Sequence, residues 1–220
     1  MRSPRPAHSR TNPLSPRARV FLLSPADCSG ERAQLLLRPQ AQFELARELQ
    51  SPLGARLRDV FSFMSGLYFR GKLAYVDRFG RPGAKSPGAL VITAGGGLMS
   101  LDQRVRPDDL RRFAAVAIEP KNPSYRLPFE RDAKSLAKRL GPEGEAVLLG
   151  SVATGKYTEV LLAILADRLR FPVAFIGRGD MSRGSLMLRS ARAGLELEYL
   201  PVPAEPVHAS TSLGHSRRSF

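Results

Sequence analysis

Three short runs, RVFLL (Arg19 to Leu23), ALVIT (Ala89 to Thr93) and AVLL (Ala146 to Leu149), are apolar almost from end to end. A strand with one wet face alternates polar and apolar residues, whereas a run without alternation suits burial on both faces. Between such runs lie stretches with apolar residues at helical spacing, such as Ala133, Leu136, Ala137 and Leu140 within Phe129 to Leu140. Doubly covered strands alternating with helices predict an α/β fold: a single domain whose largely parallel sheet carries helices on both faces. Further strands are expected at Ala114 to Ile118, Val173 to Ile176 and Leu195 to Leu200. Helices are expected over ERAQLLLR, from Pro39 to Gln50, over Gly54 to Phe79 with a break at Ser65–Gly66, and from Tyr157 to Leu169.

The domain is expected to span residues 19–200 of the 220, long enough for a substantial core. Residues 1–18 are rich in Pro, Ser and Arg and carry no apolar segment, so no secretory signal is expected. Their four prolines oppose the amphipathic helix of a transit peptide, and the segment reads as a disordered basic tail. Residues 201–220 read as a second disordered tail. No run approaches the ~18 apolar residues of a membrane span, so no membrane partner is expected. The single cysteine, Cys28, excludes an internal disulfide and fits a reducing, cytoplasmic location.

The formal net charge is +14. Arg2, Arg5, Arg10, Arg17 and Arg19 give residues 1–19 a charge of +5 with no acid, and residues 201–220 add +1. The remaining +8 lies in residues 20–200, and a surplus of this size favours a nucleic acid or nucleotide as partner. The oligomeric state is not legible.

All three histidines, His8, His208 and His215, fall in the expected tails. A serine or cysteine nucleophile served by imidazole is therefore not expected, and neither is a zinc site or any other metal or cofactor. Catalysis in such a core falls to Asp, Glu, Lys, Tyr or Cys28.

In an open α/β sheet the ligand crevice lies beyond the carboxyl ends of the strands, so the loops that follow them carry the candidates. Ser24 to Gly30 (SPADCSG) offers small polar groups before a helix start and places Ser24 and Asp27 there. Cys28 reads as a small buried thiol. Gly95 to Arg104 contributes three glycines with Asp102 and Arg104 beyond them, and Gly177 to Gly184 sets Arg178 and Arg183 around Asp180 as a phosphate clamp. In SGLYFRGK (Ser65 to Lys72), aromatics interleave with cations, and Tyr68, Arg70 and Lys72 are the expected nucleic-acid contacts. GSVATGK (Gly150 to Lys156) follows a strand as a phosphate-binding loop does, yet Tyr157 stands where that loop needs Ser or Thr for Mg²⁺. Its Ser151, Thr154 and Lys156 are expected to face the same site as the other loops.

LLSPA (Leu22 to Ala26), SGLY (Ser65 to Tyr68) and GGGLMSLDQRVRPDDL (Gly95 to Leu110) are similar, in this order, to segments of the YaaA peroxide-stress proteins. The resemblance covers roughly the first 110 residues. It implies an α/β fold related to uracil-DNA glycosylases, DNA binding and a part in the response to oxidative stress, with Ser24, Asp102 and Arg104 as pocket residues. Asp27 departs from the lysine common in that family.

The expected function is thus DNA or nucleotide binding at the strand ends, with base or nucleoside chemistry through Asp27, Asp102 or Asp180 if the protein is an enzyme. Two alternatives stand beside it: a small-molecule nucleotide enzyme using the GxxxxGK-like turn, and a non-catalytic interaction protein.

Overall fold

A computed structural model describes residues 18–81 and 87–203, so the expected tails, apart from residues 18 and 201–203, lie outside the described residues. The chain opens with β1 (Arg19–Leu23), α1 (Glu31–Leu37), α2 (Glu44–Gln50), β2 (Ala55–Arg56), α3 (Leu57–Ser65) and α4 (Leu67–Phe79). It continues with β3 (Ala89–Thr93), β4 (Gly97–Ser100), β5 (Arg104–Val105), α5 (Pro107–Ala115), α6 (Pro123–Leu140) and β6 (Glu145–Leu149). The last elements are α7 (Thr158–Leu165), β7 (Leu169–Pro172), α8 (Asp180–Ala193) and β8 (Tyr199–Pro201).

Six strands form one sheet in the order β4-β3-β1-β6-β7-β8. The inner four run parallel, and β4 and β8 close the edges antiparallel. Successive side chains of a strand face opposite ways. Phe21, Leu23, Val91, Val147 and Leu149 therefore pack beneath α1 to α5 and α8. Val20, Leu22, Leu90, Ile92, Ala146 and Leu148 pack beneath α6 and α7 on the other face. The fold is α/β with helices on both faces of a mostly parallel sheet. Among the described residues no helix is long and apolar enough to cross a membrane.

The chain leaves β1 toward one face and arrives at β3, on one side of β1. It leaves β6 toward the opposite face and arrives at β7, on the far side. The carboxyl ends of β1 and β6 thus flank the point where the winding reverses, where open sheets leave a crevice.

Several expected elements are corrected. Ala114 to Ile118 is no strand: α5 runs to Ala115, its start favoured by Pro107 at the first helical position and by Asp109 accepting from the Arg106 amide at 2.9 Å. The strand expected at Val173 to Ile176 lies four residues earlier as β7, and residues 173–175 form a 3₁₀ turn. An apolar run of this length does not distinguish a strand from a buried turn. The helix expected from Pro39 begins at Glu44, because Arg38 to Ala41 close a turn through a 3.0 Å backbone bond. Helix α6 starts at Pro123, with Asn122 capping the Ser124 amide and Pro128 inside it. The glycines at 95–97 turn a hairpin between β3 and β4, and α8, unexpected from the sequence, starts at Asp180.

The break between α3 and α4 sits where expected. Gly66 takes φ 58° and ψ −127°, a conformation open to glycine. Helix α4 then packs along α8 in the same direction, the most extensive pairing of elements among the described residues. At the crossing Gly71 faces Gly184 so closely that a Cβ on Gly71 would lie 2.5 Å from the Gly184 carbonyl oxygen.

Candidate functional site

Ser24 is the first residue beyond β1 and Gly150 the first beyond β6, and the Ser24 amide donates to the Leu149 carbonyl at 3.3 Å. A Cβ on Gly150 would stand 3.0 Å from that of Ser24, so the glycine lets the two strand ends close up. Above them opens a cleft of about 680 Å³. Its walls are the Ser24–Ser29 loop, the α3–α4 junction, the segment that follows α5, the loop between β6 and α7, and the first residue of α8. A cleft of this size holds a nucleotide-sized molecule.

Seven of the thirteen residues singled out from the sequence line it: Ser24, Asp27, Tyr68, Ser151, Thr154, Lys156 and Asp180. Their states differ. Asp27 accepts from the Ser29 hydroxyl at 2.6 Å and its amide at 2.8 Å, and these bonds hold its carboxyl below the usual range. A carboxylate occupied in this way shapes the loop and makes a poor general base. Cys28 is buried, and burial, with Asp27 beside it, pushes its thiol up to about 12, so it stays protonated at neutral pH. Ser151 accepts from the Ala153 amide at 3.3 Å, while Thr154 and Lys156 stand exposed at the rim. Tyr157 is buried in the wall, its phenol raised by burial and by Tyr68 and Asp180 nearby. With a buried aromatic at that position and Thr158 also buried, the loop offers no free small hydroxyl after its lysine for Mg²⁺.

Two further residues sit directly behind the cleft. Lys72, expected from the sequence as a surface contact, is completely buried. It follows Tyr68 by one helical turn, on the face of α4 that turns inward. Its ammonium nitrogen lies 2.7 Å from Ser24 Oγ and 2.9 Å from the Ser24 carbonyl oxygen, and 3.8 Å from the centre of the Tyr68 ring. No carboxylate pairs with it in the described structure. Burial lowers its pKa to about 7, with Asp180 opposing and Arg183 adding to the fall. Arg183, with a side chain only 13% exposed, donates Nε and Nη2 to the Phe175 carbonyl and reaches Asp180 at 3.6 Å.

The Tyr68 hydroxyl is buried on the cleft wall with no partner in hydrogen-bonding geometry. Burial and Asp180 raise its pKa, against the pull of Arg183 and Ser24 close by. An unmet buried hydroxyl costs roughly 1–3 kcal/mol, which Arg183 and Ser24 beside it reduce.

Four expected residues lie elsewhere. Arg70 is exposed on the outer side of α4. Asp102 faces Arg58 at 3.8 Å in the turn after β4, and Arg104 bonds Glu48 and the Gly54 carbonyl. Arg178 bonds the Ala174 carbonyl and the Ser182 hydroxyl, lining a smaller hollow with Arg183 rather than the main cleft. The clamp expected of Arg178 and Arg183 is therefore turned onto the protein's own backbone. The sequence did hold a signal for Lys72: Tyr68, Lys72 and Tyr75 fall on one helical stripe, which marks the lysine as facing the core.

No family model, no curated protein and no solved structure matches this chain.

Proposed function

We propose that the β1–β6 cleft binds a nucleotide-like small molecule, its phosphate at the 150–157 loop and its base or sugar against Tyr68. The observation that carries this reading is the meeting, at the reversal of the winding, of two loops rich in small hydroxyls around a cleft of about 680 Å³ whose wall includes Tyr68. Lys156 is the cation among the cleft-lining residues, and it stands in the loop that opens α7, where amide groups and the helix dipole favour an anion. With Asp27 occupied by Ser29, Asp180 and Glu119 are the acids lining the cleft that could orient a base or a water.

The test is calorimetric titration of the full chain with nucleosides, their mono-, di- and triphosphates, and inorganic phosphate. Lys156→Ala is expected to weaken phosphorylated ligands about 10- to 100-fold, the worth of one charge-assisted hydrogen bond, and to leave nucleosides unaffected. Absence of binding by every nucleotide overturns the reading.

DNA binding is the second reading, favoured by the net charge of +14. Against an extended polyanion track, Arg19, Arg56, Arg58, Arg104, Arg111, Arg112, Arg126 and Arg131 all engage carboxylates. Oligonucleotide binding with a steep salt dependence that survives Lys156→Ala would move the function from the cleft to the surface.

A further inference from the structure

We infer that Ser24 and Lys72 form a nucleophile–base dyad that opens onto the cleft and acts on the carbonyl carbon of a small ester. The inference stands on the geometry of these two residues and needs no nucleotide in the cleft.

Ser24 lines the cleft as a residue that is only 6% exposed, while Lys72 lies wholly behind it with Nζ 2.7 Å from Ser24 Oγ. The rest of the amine's surroundings are the Ser24 carbonyl and the faces of Tyr68 and Phe69, at 3.8 and 5.5 Å from the ring centres. A lysine that merely neutralised an acid would meet a carboxylate, and here the nearest charges felt by the amine, Asp180 and Arg183 of α8, are opposite in sign and pull against each other. Of the other titratable groups lining the cleft, Tyr68, Tyr157 and Cys28 are held neutral by burial, and Asp27, Glu119 and Lys156 stand on its walls as well. A desolvated amine of this kind is half unprotonated near pH 7, where it has a lone pair to take the serine proton.

The step balances within the site. Ser24 Oγ bonds to the ester carbonyl carbon as its proton passes to Lys72 Nζ, and the carbonyl π pair moves onto oxygen. As that pair returns, the carbon–alkoxy bond breaks, and the alkoxide takes a proton from a water in the cleft. The hydroxide so formed hydrolyses the acyl-serine, and the freed Ser24 oxygen takes back its proton from the Lys72 ammonium, which needs no contact beyond that oxygen. The orientation suits the dyad, since Leu149 O, at 3.4 Å, gives the Ser24 hydroxyl a resting acceptor when Lys72 is charged.

The experiment uses the full chain and a fluorophosphonate, which labels activated serines whatever the natural substrate. Intact-mass spectrometry and peptide mapping should find one adduct, on Ser24, none in Ser24→Ala, and a labelling rate that climbs through about pH 7 and levels off. Lys72→Met and Lys72→Arg should label at least ~100-fold more slowly at pH 8, the usual worth of a general base. A buried lysine with a purely structural part would leave no such pH profile. No adduct on folded wild-type protein, a flat profile between pH 6 and 9, or an unchanged rate in the folded Lys72 variants overturns the inference. Protection of Ser24 by a nucleotide would report on the ligand reading separately.

Discussion

Gly71→Ala is expected to lower the unfolding free energy by about 2 kcal/mol, the usual cost of overpacking a tight contact. Helix propensity works the other way, since alanine within a helix is favoured over glycine by roughly 1 kcal/mol. Packing wins because the added methyl has nowhere to go. It would lie 2.5 Å from the Gly184 carbonyl oxygen and 2.9 Å from its Cα, and both are backbone atoms of a helix that cannot rotate aside as a side chain can. Gly184→Ala meets the same obstacle from the other side, with the Leu67 carbonyl and the Tyr68 Cα both at 2.9 Å. For a domain of this size the loss corresponds to roughly 4–8 °C in Tm, read by thermal unfolding at fixed pH. The consequence reaches the cleft, because this crossing sets Tyr68 and Lys72 of α4 against Asp180 and Arg183 of α8. Unchanged or raised stability in both variants would mean that the two helices do not meet at their glycines.

Stability is expected to rise with pH between about 7 and 8.5, by roughly 1.5 kcal/mol in total. Lys72 is the cause. Its pKa falls from 10.5 in the unfolded chain to about 7 in the fold, so between these values the unfolded chain holds a proton that the folded one has released. Each unit of pH then adds up to about 1.4 kcal/mol to the unfolding free energy. Below about pH 7 both states are protonated and the cost of burying the cation is fully present. Cys28 acts in the opposite direction at higher pH, since its thiol ionises near 9 when unfolded and only near 12 when buried. The rise therefore flattens above pH 9. Lys72→Met, which puts an apolar chain of similar length into the same space, should match or exceed the wild-type stability at pH 7 and lose the slope. Urea unfolding at pH 7, 8 and 8.5 measures both. An equal slope in the variant would place the titration elsewhere.

The parts of this fold that could be read from the chain are those with purely local causes. RVFLL, ALVIT and EAVLL became the central parallel strands because unbroken apolar runs of four residues demand cover on both faces. Gly66 broke the long helical stretch because only a glycine is at ease in the conformation found there. Errors came where an apolar segment had two outlets. AAVAI from 114 to 118 reads as a strand, yet the helix starting at Pro107 runs into it, and VAFI from 173 to 176 turns as a 3₁₀ segment after β7. The glycines at 95–97 suggested a ligand cradle, but a Cβ on Gly97 would collide with Asp132 of α6, so they serve the packing of a hairpin against a helix.

The site divides in the same manner. That its residues would come from the loops after the strands followed from the sequence, because an α/β sheet leaves its crevice there whatever its topology. Which loops would meet did not follow. It depends on β1 lying between β3 and β6, a non-local arrangement that leaves Asp102 and Arg104 outside and brings Ser24 to the loop of Lys156. The helical stripe through Tyr68 and Lys72 likewise tells that the lysine turns inward and nothing of what it meets. Only the tertiary structure, with Gly71 and Gly184 admitting α8 and the end of β1 lying beneath, decided that its partner is a serine hydroxyl in place of a carboxylate.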